Sequence, residues 1–275
     1  MTRDMEIISI GNELLIGKVL NTNAFWMAKQ ATSMGIQVKR ITVIPDDVNE
    51  TAHAIREALK RKPEFIVTTG GLGPTFDDKT LESIAKALNR KLAANKEALE
   101  MVKKKYQKYA RKKRSNNTEL TQPRVKMATI PENSTPIRNP LGTAPAIQID
   151  LENTVLIALP GVPREMEAIF EQTVAPMLRH ASHGAIFYEE SIYADDVMES
   201  ALAPLIDKVM IDNPEVYVKS HPRGAENKPH MEIHFSMPTA EEGKARKKLH
   251  EAVVQLSDMI TKIDGKVFPE QQVSS

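Results

Sequence analysis

The stretch Phe65-Ile66-Val67-Thr68-Thr69-Gly70-Gly71-Leu72-Gly73-Pro74-Thr75-Phe76-Asp77-Asp78 decides how the chain reads. Its first five residues form a short apolar, β-branched strand that runs straight into a glycine-rich turn. Leu81, Ile84, Ala85 and Leu88 then recur at helical spacing. Glycines let a backbone bend tightly and bring its N–H groups up to an anion, and a helix N-terminus adds partial positive charge. No Gly-Lys-Ser/Thr follows, so this is not a Walker loop. Phe76 holds the third glycine position, so it is not a dinucleotide fingerprint. On composition alone a structural turn, with Asp77 or Asp78 capping the helix, explains the segment equally well.

The same rhythm extends outward. Glu6–Ile10 reads as a strand, Asn23–Met34 as a helix ended by Gly35, and Ile36–Ile44 as a second strand. Val48, Ala52, Ile55 and Leu59 mark the next helix. Asn95–Arg114 reads as a helix, Lys126–Ile130, Pro145–Ile149 and Thr154–Ala158 as strands, and Pro163 as the first turn of another helix, striped by Met166, Ile169, Phe170 and Met177. Alternating β and α segments predict a mostly parallel sheet with helices on both faces and right-handed connections.

Composition shifts near His180–Gly184. Beyond it come a strand (Ile186–Tyr193), a helix (Val197–Met210) that Pro204 would kink, strands (Val216–Lys219, Met231–Met237) and a helix (Ala240–Ile263) opened by a Thr239/Glu242 capping box. Arg223–Pro229 reads as a hairpin loop. The expectation is two domains, residues 1–180 and a smaller α+β domain of residues 181–275. That suits 275 residues at about 150 per domain.

Composition bounds the chemistry. Lys+Arg total 37 and Asp+Glu 36, a formal net charge of +1 that gives no global argument for nucleic acid or an anionic membrane. There is no cysteine, so thiolate metal sites, disulfides and cysteine nucleophiles are excluded. No apolar run reaches membrane-spanning length and the N-terminus lacks a leader-like core, which predicts a cytoplasmic protein.

Ligands of open α/β sheets sit at the carboxyl ends of the strands. Glu13, Asp46, Asp47, Asp77 and Asp78 follow three such ends, and carboxylates without His or Cys suit a hard cation such as Mg²⁺. Asp47, with Glu50 three residues on, reads instead as a helix N-cap, leaving Asp46 free for chemistry. Leu159–Met166 again joins strand to helix, with Gly161 in the turn and Arg164 able to approach a phosphate. Asn139–Pro145, with Gly142 and Thr143, is a second rigid loop.

Taken together, Gly11-Asn12-Glu13-Leu14-Leu15, Asn21-Thr22-Asn23, Gly70–Asp78, Asn139–Pro145 and Leu159–Met166 resemble the N-terminal part of the competence/damage-inducible protein CinA family. The core of that part is similar to the MoaB/Mog molybdopterin-binding domain. The resemblance is dense over about residues 4–178, with Val162 and Ala146 departing from its usual loops. It implies a three-layer α/β/α domain with a smaller second domain. It also implies metal-dependent hydrolysis of a nucleoside diphosphate compound, ADP-ribose to AMP and ribose 5-phosphate. The alternative is binding or adenylylation of molybdopterin in molybdenum cofactor biosynthesis.

On this reading Asp46, Asp78 and Glu13 are catalytic, and Asp46, Asp77 and Asp78 hold a Mg-like divalent cation. Asn12, Gly70, Gly71, Gly73, Thr75, Asn139, Gly142, Thr143, Gly161 and Arg164 bind the ligand, a small nucleotide or pterin, with molybdopterin a further candidate cofactor. The family's deamidase domain would not fit in 275 residues. Relatives of the domain self-associate, so a homo-oligomer is expected.

Three local features read more plainly. Lys103–Arg114 carries eight basic residues in twelve. A solvated helix face, with Tyr106 and Tyr109 packed inward, is favoured over nucleic-acid binding. His230, Glu232 and His234 share one strand face, favoured as a solvent side over a metal site. Phe25 and Trp26 read as packing residues.

Overall fold

The computed structural model describes residues 3–113, 119–223 and 230–269. The chain divides into two compact units, Met1–Ser182 and His183–Ser275.

In the first unit the order is β1 (Arg3–Ile10), α1 (Asn12–Leu15), α2 (Thr22–Ser33), β2 (Ile36–Ile44), α3 (Val48–Lys60), β3 (Phe65–Thr69), α4 (Thr80–Ala87), β4 (Leu92–Ala94), α5 (Lys96–Lys113), α6 (Gln122–Lys126), β5 (Thr129–Pro131), β6 (Thr135–Ile137), β7 (Ala146–Asp150), β8 (Val155–Leu159), α7 (Pro163–Ile169), a π-helical turn (Phe170–Val174) and α8 (Ala175–Ala181). The main sheet runs β2-β1-β3-β8-β7-β6. β2, β1, β3 and β8 pair in parallel, while β7 and β6 close one edge antiparallel.

Period-2 alternation sorts the strands' side chains onto two faces. Met5, Ile7, Phe65, Val67, Ile157 and Leu159 meet Met27 and Ala31 of α2 and Met166, Ile169 and Leu178 of α7 and α8. Ile8, Ile10, Ile66, Leu156 and Ala158 meet Ile55 of α3, Ile84 of α4 and Val102 of α5. The result is the expected α/β/α sandwich over a mostly parallel sheet. Glu6, 2% exposed, interrupts the apolar alternation of β1. Its carboxylate takes both forks of Arg61 at 2.6 Å, which removes the cost of an unpaired buried charge.

Several local expectations need correcting. Lys126–Ile130 is not a strand: Pro123 starts the short helix α6, and only Thr129–Pro131 extends, pairing with β4. The helix placed at Asn95–Arg114 is observed over Lys96–Lys113; Arg114 lies outside the described residues. Asn95 sits outside the helix as its cap, its Oδ1 accepting from the Ala98 N–H at 3.0 Å. Phe25 is 72% exposed, whereas Trp26 packs edge-on against Phe170. Tyr106 packs inward under Arg124, but Tyr109 is exposed and its hydroxyl donates to the Leu141 carbonyl.

The second unit holds β9 (Ile186–Asp195), α9 (Glu199–Asp212), β10 (Tyr217–Pro222), β11 (His230–Thr239), α10 (Glu242–Thr261) and β12 (Lys266–Pro269). Its antiparallel sheet runs β10-β11-β9-β12. Leu202, Ile206 and Val209 of α9 and Leu249, Leu256 and Ile260 of α10 cover one face over Phe235. Pro204 lies inside α9. Residues 224–229 of the expected hairpin loop lie outside the described residues. The capping box does not form: Glu242 turns down its own helix to Arg246, and the Thr239 hydroxyl accepts from the Glu241 N–H instead.

Candidate functional site

Parallel strands deliver their C-terminal ends to one edge, and four of these ends are stitched together in two pairs. The Gly11 N–H donates to Ile44 O, and the Gly70 N–H to Leu159 O, each at 3.1 Å. The Thr69 hydroxyl donates to Pro160 O at 2.9 Å. Asn23, on the first turn of α2, joins two loops: its Nδ2 donates to Thr69 Oγ1 at 3.0 Å and to Gly161 O at 2.8 Å. A crevice of about 250 Å³ opens above these ends, walled in part by Glu13, Asn23, Asp46, Gly70, Gly71, Asp77, Asp78 and Gly161.

The glycine turn forms because only glycine fits it. Gly70 and Gly71 have φ of 112° and 65°, a region that L side chains avoid. A side chain at Gly70 would run into the Ile10 carbonyl, and one at Gly71 into the Thr80 hydroxyl. Leu72 is buried in the core and anchors the turn. The Thr80 N–H returns to Gly71 O and the Thr80 hydroxyl to Gly70 O. Among the described residues no acceptor takes the N–H of Gly71, Leu72 or Gly73. Of these three, Gly71 lines the crevice, and a free N–H on a left-handed turn is the kind of donor an anion takes.

The carboxylates are held differently from the expectation. Neither Asp77 nor Asp78 caps α4, whose N-cap is Lys79. Asp78 Oδ2 accepts from the Thr75 N–H at 2.8 Å and from its hydroxyl at 2.5 Å, and the same hydroxyl faces Asp77 Oδ1. Thr75 therefore braces the loop, and its N–H is not free for a ligand. Lys126 holds the Thr75 carbonyl. The Thr75 hydroxyl, the Asp77 N–H and nearby Lys126 and Lys79 hold the Asp77 carboxyl below its usual range. Asp46 Oδ2 accepts from the Asn12 N–H at 2.9 Å, joining the ends of β1 and β2. Asp47 is the N-cap of α3, accepting from Asn49 and Glu50.

Among the described residues no three His, Asp or Glu side chains are grouped closely enough to hold a metal ion. In this structure Asp46 is engaged with Asn12, and Asp77 and Asp78 with Thr75. The strand face of His230, Glu232 and His234 is likewise no ligand set. His230 Nδ1 meets Asp195 at 2.5 Å, Glu232 pairs with Arg223 at 2.6 Å, and His234 faces Ser191 and Glu189.

Not every residue placed in one site comes together. Asn139 and Thr143 line a different pocket of about 470 Å³, bounded by α5. Asn139 is buried; its Oδ1 accepts from Leu141 and Gly142, and its Nδ2 donates to Ala144 O and Glu165. Asn139 is thus a loop brace. At Gly142 the Glu165 carboxylate occupies the space a side chain would take, so a larger residue would have to displace it from Asn139. Arg164 is exposed and lines neither pocket. Asn23 and Lys126 were missed as site residues. The Asn21-Thr22-Asn23 cluster at a helix start was the available signal for Asn23, and Lys126 had none because its strand assignment was wrong.

Residues 6–180 match the family described as "Probable molybdopterin binding domain". A protein of Caldivirga maquilingensis is 46% identical over 252 residues, 91% of this chain and 94% of its own. One of Sulfurisphaera tokodaii is 40% identical over 264 residues, 96% and 97% of the two chains. The crystal structure of CinA from Thermoplasma acidophilum, described as of unknown function, is 40% identical. It superposes with a TM-score of 0.58 over 64% of this chain and 98% of that one. No helix of the described residues is long and apolar enough to cross a membrane. With its family-matched residues forming the sheet and the glycine turn, the chain belongs to the molybdopterin-binding domain family.

Proposed function

We propose that the crevice binds a pterin phosphate of the molybdopterin type and serves molybdenum-type cofactor biosynthesis. The observation that carries this reading is the free N–H of Gly71, which lines the crevice at the head of the Gly71–Gly73 run of free amides, beside acceptor carboxylates. A phosphate accepts hydrogen bonds only, and the turn supplies the donor. A pterin ring edge carries N–H donors, and Asp46, Asp77 or Asp78 supply acceptors. Gly161 and Asn23 shape the far wall, where Asn23 Oδ1 has no hydrogen-bond partner. Family membership supports this reading better than ADP-ribose hydrolysis, whose cation has no assembled ligand set here. A CinA-type identity, a cytoplasmic setting and self-association belong to the same proposal.

The test is fluorescence titration with molybdopterin, run beside ADP-ribose turnover with and without Mg²⁺. The expected result is micromolar pterin binding that weakens in Asp46→Asn. No pterin binding at micromolar concentration, with Mg²⁺-dependent release of AMP, would overturn the proposal in favour of the hydrolase.

A further inference from the structure

The pocket beside α5 has a construction of its own. Glu97, Glu100, Met101, Lys104, Lys105 and Lys108 recur at helical spacing, so one face of α5 forms its wall. Arg138 and the 139–145 loop form the other wall. The charges are sorted along the helix, carboxylates toward its start and amines toward its end.

Three of the cations have no direct partner. Among the described residues, Lys104, Lys108 and Arg138 form no ion pair or hydrogen bond. Lys105, half-buried, donates to the Pro140 carbonyl at 2.6 Å. Burial, with Lys108 and Arg138 close by, pushes its ammonium below the usual lysine range. Four cations are gathered there, with Glu165 acting on Lys105 from the other side. The opposite wall is rigid, because Asn139 fixes the loop through four hydrogen bonds.

We propose that this second pocket binds a compact phosphorylated molecule of nucleotide size, with its phosphoryl group held by Lys104, Lys108 and Arg138. A volume of about 470 Å³ falls in the range of small-molecule sites. Glu97 and Glu100 bound the cationic stretch toward the start of α5, so a compact anion fits beside Lys104, Lys108 and Arg138. This inference stands apart from the pterin reading of the crevice and shares none of its residues.

Calorimetry of the full chain with inorganic pyrophosphate tests it. The expected result is saturable binding that weakens about tenfold or more in Lys104→Gln/Arg138→Gln, from the loss of charge-assisted contacts. Lys108→Gln, a single exposed change, should shift affinity the same way by less. Lys247→Gln/Lys248→Gln on α10 removes the same net charge elsewhere and should leave affinity unchanged. Three outcomes would overturn the proposal: no pyrophosphate binding, equal affinity in the Lys104/Arg138 variant, or displacement of pyrophosphate by a single-stranded oligonucleotide.

Discussion

The glycine crevice of the first unit and the histidine-bearing strand face of the second both display several polar groups in a small area. They differ in what those groups already do. On β11 each of His230, Glu232 and His234 faces a partner on a neighbouring segment. In the crevice, the Gly71 N–H and the side-chain Oδ1 of Asn23 have none. Polar groups that satisfy each other describe a sheet surface, whereas groups left open beside a cavity describe a binding site. Residue type alone would have favoured the histidines.

The largest expected effect separates the two regions outright. Phe235→Ala empties a fully buried site in the second unit and should cost about 3–5 kcal/mol in chemical denaturation. Pterin binding should persist under native conditions, because every crevice residue lies in the first unit; loss of binding would break the comparison. Glu6→Ala strands Arg61 and should cost about 2–3 kcal/mol, less than a fully buried pair because the Arg61 side chain is 35% exposed. Asn23→Ala removes two cross-loop hydrogen bonds. It should cost about 1–2 kcal/mol of stability and weaken pterin binding roughly tenfold. His230→Gln and His234→Gln should each change stability by less than about 0.5 kcal/mol, and equilibrium dialysis should find Zn²⁺ retention unaltered.

A pH prediction follows from Asp47. Its carboxyl is held below the usual range by the N–H groups of Glu50 and Asn49. A depressed folded-state pKa gives stability that is fully present above the unfolded value and is lost as pH falls through the folded one. The capping contribution to α3 should therefore fade only on the acid side of the ordinary carboxylate range. In Asp47→Asn, urea midpoints across acid pH should lose this part of their slope.

The core of the first unit was readable because hydrophobic period and glycine position agree along β1 to α4. Ile8 and Ile66 could be assigned to one face and Ile7 and Val67 to the other by alternation alone. The edge pieces were not readable. β4, β6 and β12 are three or four residues long, too short for a period to show. Lys126–Ile130 read as a strand because the β-branched Thr129 and Ile130 outweighed Pro123 as a helix start. At the site, the glycine turn and the carboxylates could be named but not their bonding. Which donors stay free depends on Thr75 reaching Asp78, and which loops meet depends on Asn23 spanning from α2 to Gly161. Asn139 and Thr143 joined the crevice in the sequence reading because loops carry no information about which side of a sheet edge they face.

The central claim is that the free amides of the glycine turn receive the ligand's phosphate. Amide NMR of the full chain during titration with a pterin phosphate tests it directly. The account predicts that the Gly71, Leu72 and Gly73 resonances move downfield together and saturate with the ring's fluorescence change. If the ligand saturates while those three resonances stay in place, the account is contradicted.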